Sequence, residues 1–391
     1  MRCYEAAQRL LLYRDLWQAP VGQAWLRLLA GLEAGEAGLY GVYSEWLLGL
    51  GGGSWAEWLW QGVAGSENPF AWAAARGEMT PRLAGMAAYD LPLLQCCANC
   101  REELEGALGR AGLPIFPQPP TPTPDWARDV ASLIAFYRQQ GAGFWGRYRV
   151  GRWHQGQCLG IPDPDPVRLE DLWGWEQQKK LLVHNTQALV QGLPALHVLL
   201  YGARGTGKSS LVKAVAQAFA QQGLRLLEVA RDDLLALPQI LESLGRDPHA
   251  FILFVDDLAF EETEGLFRPL KVLLEGDVAR APARVRVYAT SNRRHLIRET
   301  FADRPSPAQT EVHAWDTLQE KLSLADRFGL TLTFPPWTQG DYLATVAHLA
   351  GQAGIERQDL QAQALKWAQH HHGFSGRSAQ QFLTALQAGL I

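Results

Sequence analysis

The stretch HVLLYGARGTGKSSLVKAVAQAF, His197 to Phe219, decides how the rest of the chain is read. Val198, Leu199, Leu200 and Tyr201 form an apolar run ended by glycine, which predicts a short buried strand. Leu211, Val212, Val215 and Phe219 recur at helical spacing, so a helix follows the turn. Between strand and helix lies GARGTGKS: Gly202, Ala203, Arg204, Gly205, Thr206, Gly207, Lys208 and Ser209, followed by Ser210. The glycines let successive backbone N–H groups curl around a phosphate, and the helix N-terminus adds its positive end. In this spacing Lys208 reaches the β- and γ-phosphates, and the Ser209 hydroxyl is a ligand for Mg²⁺. A nucleoside triphosphate site is expected.

A second acidic signal lies downstream in FILFVDDL, Phe251 to Leu258. Its apolar run predicts a central strand that delivers two carboxylates to the edge where open α/β sheets bind ligands. Asp256 is placed to hold Mg²⁺, and Asp257 to orient and polarise an attacking water. Alone, such a strand end is a common accident; following a phosphate loop, it gains meaning. VYATSNRRH, Val287 to His295, adds Asn292 just past another buried strand, near where a γ-phosphate would lie. A turn-forming asparagine is its plain alternative.

Around this centre the composition is that of a globular protein, 47% hydrophobic and 19% charged over 391 residues, enough for two or three domains. A formal net charge of −4 creates no global attraction to nucleic acid or anionic membranes. There is no apolar run of about 18 residues, and the arginine-bearing N-terminus makes a poor signal peptide, so the cytoplasm is the expected location. The five cysteines fit a reducing compartment, and Cys97-x-x-Cys100 lacks the further ligands a zinc site needs.

Four regions are expected. Residues 1–112 read as helical and rich in tryptophan, with Trp46, Trp55, Trp58, Trp60 and Trp72 close in sequence as core-filling side chains; a docking surface for a partner is the alternative. Residues 113–166 read as a proline-rich linker carrying a short helix and a small β-hairpin. Residues 167–336 alternate strand and helix as a parallel sheet does, with strands at 198–201, 225–230, 251–255, 285–290 and 330–334 and a helix over 171–187. Residues 337–391 read as a helical subdomain. His370, His371 and His372 fit a solvated helix end better than a metal site, because consecutive histidines point to different sides. Glu261, Glu262 and Glu264 read as an exposed acidic turn.

The order of these motifs resembles the AAA+ ATPases: a phosphate loop, an acidic strand end, a strand ending in Asn, an Asp-Arg-Phe before the last strand, and a helical lid. DLWGWEQQKKLLVHNT, FILFVDDLAFEE, YATSNRRHL and EKLSLADRFGL resemble more closely a bacterial AAA+ family catalogued as a domain of unknown function. The fold that this implies is an α/β P-loop NTPase with a three-layer parallel sheet and a C-terminal helical lid, preceded by a mainly α-helical region. By the same resemblance Arg327 is an arginine finger inserted into a neighbour's site. Arg377 is then a lid arginine touching the γ-phosphate. Leu172, Trp173, Gly174 and Trp175 would line an adenine pocket. ATP and Mg²⁺ are the implied ligands and ATP hydrolysis the activity. A homo-oligomer and a protein client bound by the N-terminal region are the implied partners.

Two departures qualify this. In the commonest AAA+ pattern the residue after the metal-binding aspartate is Glu, and here it is the shorter Asp257, which leaves slow turnover and a nucleotide switch or scaffold open. ARDDLLALPQILESLGRDPHA, residues 230–250, has no aromatic before a glycine, which argues against a polypeptide-threading machine. A DNA-linked loader or initiator is the third reading, disfavoured by the acidic balance and by the lack of a recognisable DNA-binding module.

Overall fold

The computed structural model describes residues 2–245, 247–258, 267–275, 282–292, 327–371 and 373–391. The acidic turn expected at Glu261, Glu262 and Glu264 lies outside them, as do His372 and the segment leading into Arg327. The chain divides into two compact units, Met1–Arg147 and Tyr148–Ile391.

The first unit is helical. Helices Pro20–Ala34, Tyr40–Gly49, Trp55–Ala64 and Pro81–Ala98 surround a core that contains Trp25, Trp46, Trp55 and Trp60. The rings of Trp17, Trp25, Trp55 and Trp58 stack in sequence, with centroid separations of 5.3, 4.2 and 5.1 Å. The tryptophans therefore fill the interior, where large rings bury much apolar area. Ser54 caps its helix by accepting the Glu57 N–H at 3.0 Å. The proline-rich stretch is tied down: Pro114 O accepts from the Tyr43 hydroxyl at 2.7 Å, and Gln118 Oε1 from the Trp55 N–H at 3.0 Å.

The second unit is built on a sheet with seven strands among the described residues: β1 (Val150–His154), β2 (Gln157–Ile161), β3 (Val198–Gly202), β4 (Leu224–Val229), β5 (Ala250–Val255), β6 (Val285–Ser291) and β7 (Leu330–Phe334). Their spatial order is β2-β1-β4-β5-β6-β3-β7. Strands β4, β5, β6, β3 and β7 run parallel, which requires crossovers such as the helix Lys208–Phe219 between β3 and β4. β5 is buried along its whole length, as its unbroken apolar run requires. This is the P-loop NTPase fold, with β3 between β6 and β7.

The hairpin turns at Gln155 and Gly156, both at positive φ. β1 pairs antiparallel with β2 and parallel with β4, placing Trp153 in the interior. The hairpin thus extends the nucleotide-fold sheet, and the sheet unit begins at Tyr148 instead of at 167. The helix expected over 171–187 runs from Glu176 to Val190, because Gly174 and Trp175 both take left-handed backbone and delay its start. Beyond β7, helices Gln339–Gln352, Leu360–His370 and Gly376–Gln387 close around Tyr342, Val346 and Phe382 as a lid.

Candidate functional site

The C-terminal edge of the parallel strands gathers the polar residues of the two motifs. The loop after β3 needs glycine for steric reasons. A Cβ on Gly202 would lie 1.9 Å from Phe334 O, while the Ala203 N–H donates to that same oxygen at 3.0 Å. Gly205 and Gly207 adopt positive φ, and Gly207 caps the helix that begins at Lys208. Thr206 is buried, its hydroxyl donating to Ala203 O at 2.9 Å, while Arg204 is exposed.

Lys208 is only 6% exposed and donates to Gly202 O at 3.0 Å, Ala203 O at 2.7 Å and Asn292 Oδ1 at 3.2 Å. Burial holds its ammonium below the usual lysine range; the carboxylates of Asp256 and Asp257 offset this in part, and Arg204 adds to it.

The carboxylates are joined to the loop by hydroxyl groups. Ser209 Oγ donates to Asp256 Oδ1 at 2.6 Å, and Thr290 Oγ1 donates to the same oxygen at 2.5 Å. Thr290 Oγ1 also accepts the Asp257 N–H at 2.9 Å. Asn292 Nδ2 donates to Asp257 Oδ1 at 2.7 Å, so Asn292 links Lys208 to Asp257. Asp256 and Asp257 are both exposed to solvent. Ser209 Oγ and the Asp256 carboxylate are adjacent hard oxygen donors, a set that fits Mg²⁺ with water and phosphate in its other positions.

The lid meets this loop directly. The Gly376 N–H donates to Gly205 O at 2.8 Å, and a Cβ on Gly205 would lie 2.7 Å from Ser375 Cβ. Arg377 follows Gly376 as an exposed residue in the first turn of its helix, so its backbone stands beside the phosphate loop. Arg327 is placed differently. It precedes β7, whose far end, Phe334, touches the loop. The five residues of β7 therefore separate Arg327 from its own site by roughly 16 Å of strand.

The segment expected to line a base pocket is clamped between sheet and lid. Trp175 packs edge-on against Phe334 at 5.3 Å, and Leu172 joins the sheet core, its carbonyl accepting from Lys179 Nζ. Trp173 is 45% exposed and lies 5.0 Å from the His348 ring of the lid. His348 Nε2 and Gln352 Nε2 both donate to Glu170 O, at 3.1 and 3.3 Å. Thr290, Gly376 and His348 were not singled out from sequence. Thr290 alone carried a signal, a hydroxyl two residues before Asn292 on a buried strand. Among the described residues no cluster of His, Cys, Asp or Glu is arranged to hold a metal by itself, and the cysteines are free.

The family model described as "Protein of unknown function (DUF815)" matches residues 146–390. The chain belongs to this family. The match begins within two residues of the sheet unit and ends in the lid, so the helical unit stands outside it. No curated protein matches the chain. Among solved structures, a RuvB point mutant from Thermotoga maritima aligns at 19% identity and a TM-score of 0.36, covering 55% of this chain and 62% of that one. The Thermotoga maritima RuvB Holliday junction branch migration motor aligns at 17% and 0.32, covering 56% and 72%. The ORC2 protein of Aeropyrum pernix, in ADPNP and ADP complexes, aligns at 14% and 0.35, covering 57% and 70%. The chain thus spans less than two thirds of the first of these. The fold assignment rests on the strand order and the loop geometry.

Proposed function

We propose that this family member binds ATP with Mg²⁺ in the loop after β3 and hydrolyses it in an AAA+-type oligomer, coupling turnover to remodelling or regulation of a protein partner. The observation that supports it most is the closed set of contacts linking Lys208, Asn292, Asp257, Thr290, Asp256 and Ser209. An aspartate with a hydroxyl and a lysine with an amide stand together where two strands end.

In this reading the N–H groups of residues 203–209 hold the phosphates, and Lys208 leaves the carbonyls of Gly202 and Ala203 for phosphate oxygens. Ser209 and Asp256 hold Mg²⁺, which supplies charge neutralisation on the β- and γ-phosphates. Asp257 accepts a proton from the water that attacks the γ-phosphorus, and ADP departs. Asn292 orients Asp257, and Arg377 meets the γ-phosphate from the lid. Leu172 and Trp175 border the base. Arg327, at the opposite end of β7 from its own loop, serves the site of a neighbouring subunit, which makes the active form an oligomer. The helical unit is the client-binding or regulatory part. No described helix is long and apolar enough to cross a membrane.

The test is phosphate release against protein concentration, with subunit mass measured alongside. The rate per subunit should rise with concentration; Asp257→Asn and Arg327→Ala should lose it, and Arg327→Ala should still bind ATP. A second reading, a nucleotide switch, draws on the short Asp257 carboxylate being engaged by Asn292. ATP bound without turnover at any concentration would favour it and would overturn the arginine-finger role.

A further inference from the structure

We propose that Thr290 is the positioning residue that sets both acidic groups of the site, an assignment that rests on the ATP-site reading above. A hydroxyl has one proton and two lone pairs. The Asp257 N–H can only donate, so it takes a lone pair of Thr290 Oγ1 at 2.9 Å. The Thr290 proton is then free for Asp256 Oδ1, at 2.5 Å. The Leu258 N–H donates to Thr290 O at 2.7 Å. One residue of β6 therefore fixes three consecutive residues beyond β5: the side chain of Asp256 and the backbones of Asp257 and Leu258.

Those residues need such a hold. Asp257 has φ +52°, a left-handed backbone that a non-glycine residue adopts only where its surroundings impose it. That conformation turns the chain just past β5 and brings the Asp257 carboxylate to Asn292. Asp256 Oδ1 is meanwhile occupied by two hydroxyl donors, from Ser209 on the phosphate loop and from Thr290. Thr290 is 2% exposed and so is closed to bulk water. It acts through the two aspartates, coupling the metal-holding group to the water-polarising one. In a site where the carboxylate is a methylene shorter than usual, its placement matters more, since a small misplacement is costly in rate.

The experiment compares wild type, Thr290→Val and Thr290→Ser. Valine matches threonine in shape and lacks the hydroxyl, whereas serine keeps the hydroxyl and loses a methyl. Steady-state ATP turnover is measured together with the affinity for a fluorescent ATP analogue in Mg²⁺ and in EDTA, with melting curves as the fold control. Thr290→Val should lose turnover by about tenfold or more, from the hydrogen bonds to charged groups it forfeits. Its nucleotide affinity in EDTA should match wild type, the gain in affinity on adding Mg²⁺ should shrink, and Thr290→Ser should restore both. If Thr290→Val does not melt cooperatively, Thr290→Ala takes its place. Thr290→Val with wild-type turnover and Mg²⁺ response overturns the assignment and leaves the ATP site standing. Thr290→Ser as impaired as Thr290→Val overturns it too, since the methyl and its packing would then matter. A wild type that binds no nucleotide sinks the site reading itself, and this assignment with it.

Discussion

Each of the two units holds aspartate in a network of hydrogen bonds, and the two networks are built differently. In the helical unit Asp90 is fully buried and accepts backbone N–H groups from Leu11, at 2.9 Å, Leu12, at 2.7 Å, and Tyr13, at 3.4 Å. Both its oxygens are spent on the backbone of a turn that would otherwise leave buried donors unpaired. At the edge of the sheet, Asp256 and Asp257 are exposed, and side chains hold them: Ser209, Thr290 and Asn292. A carboxylate that serves folding gives its oxygens to amides out of reach of solvent. One that serves a ligand stays open to water and is aimed by its neighbours.

The same substitution in the two places separates these roles. Asp90→Asn turns an NH₂ group toward backbone donors, so the helical unit should lose about 1–3 kcal/mol in a urea melt. ATP affinity, with or without Mg²⁺, should not change. Asp256→Asn should leave the melt within about 0.5 kcal/mol, as exposed substitutions do, and remove the gain in ATP affinity on adding Mg²⁺. The opposite pattern, an intact melt for Asp90→Asn and a collapsed one for Asp256→Asn, would erase the distinction.

A smaller effect comes from a half-buried group in the sheet unit, immediately before β3. His197 Nδ1 accepts the Val287 N–H at 3.0 Å, and burial, with Arg286 nearby, pushes its pKa down to about 4. The unfolded chain takes up a proton near pH 6.5, which the folded one refuses until about pH 4. The stability that His197 contributes is thus complete above pH 6.5 and is lost as pH falls toward 4, about 2 kcal/mol of it between pH 7 and pH 5. His197→Asn, which keeps an acceptor and does not titrate, should flatten the fall in urea midpoint between pH 7 and pH 5. An unchanged slope would show that other groups carry it.

How much could be read in advance follows from how local each signal is. The phosphate loop was legible because its glycines, lysine and serine lie within eight residues, each required by the backbone path or the ligand. β5 was legible from an unbroken apolar run ending in two carboxylates. Thr290 was not, because its meaning depends on Asp257, 33 residues earlier, arriving beside it through strand pairing. The hairpin itself was visible in its Gln155-Gly156 turn, but its membership of the sheet depends on a parallel pairing with β4 more than seventy residues away. The contact of Gly376 with Gly205 was hidden for the same reason, since two glycines far apart give no sign that the lid rests on the loop. Arg327 and Arg377 drew their separate roles from the resemblance alone, because their distances from the phosphate loop depend on where β7 and the lid helix are packed.

Calorimetric titration with ATP and Mg²⁺ reads directly whether this loop binds ATP through Lys208. Wild type should bind one nucleotide per subunit. Lys208→Ala should melt like wild type and lose at least about a hundredfold in affinity, since its ammonium is exchanged from three protein oxygens to phosphate. Undiminished binding by Lys208→Ala, or no binding by the wild type, would mean that this loop is not an ATP site built on Lys208.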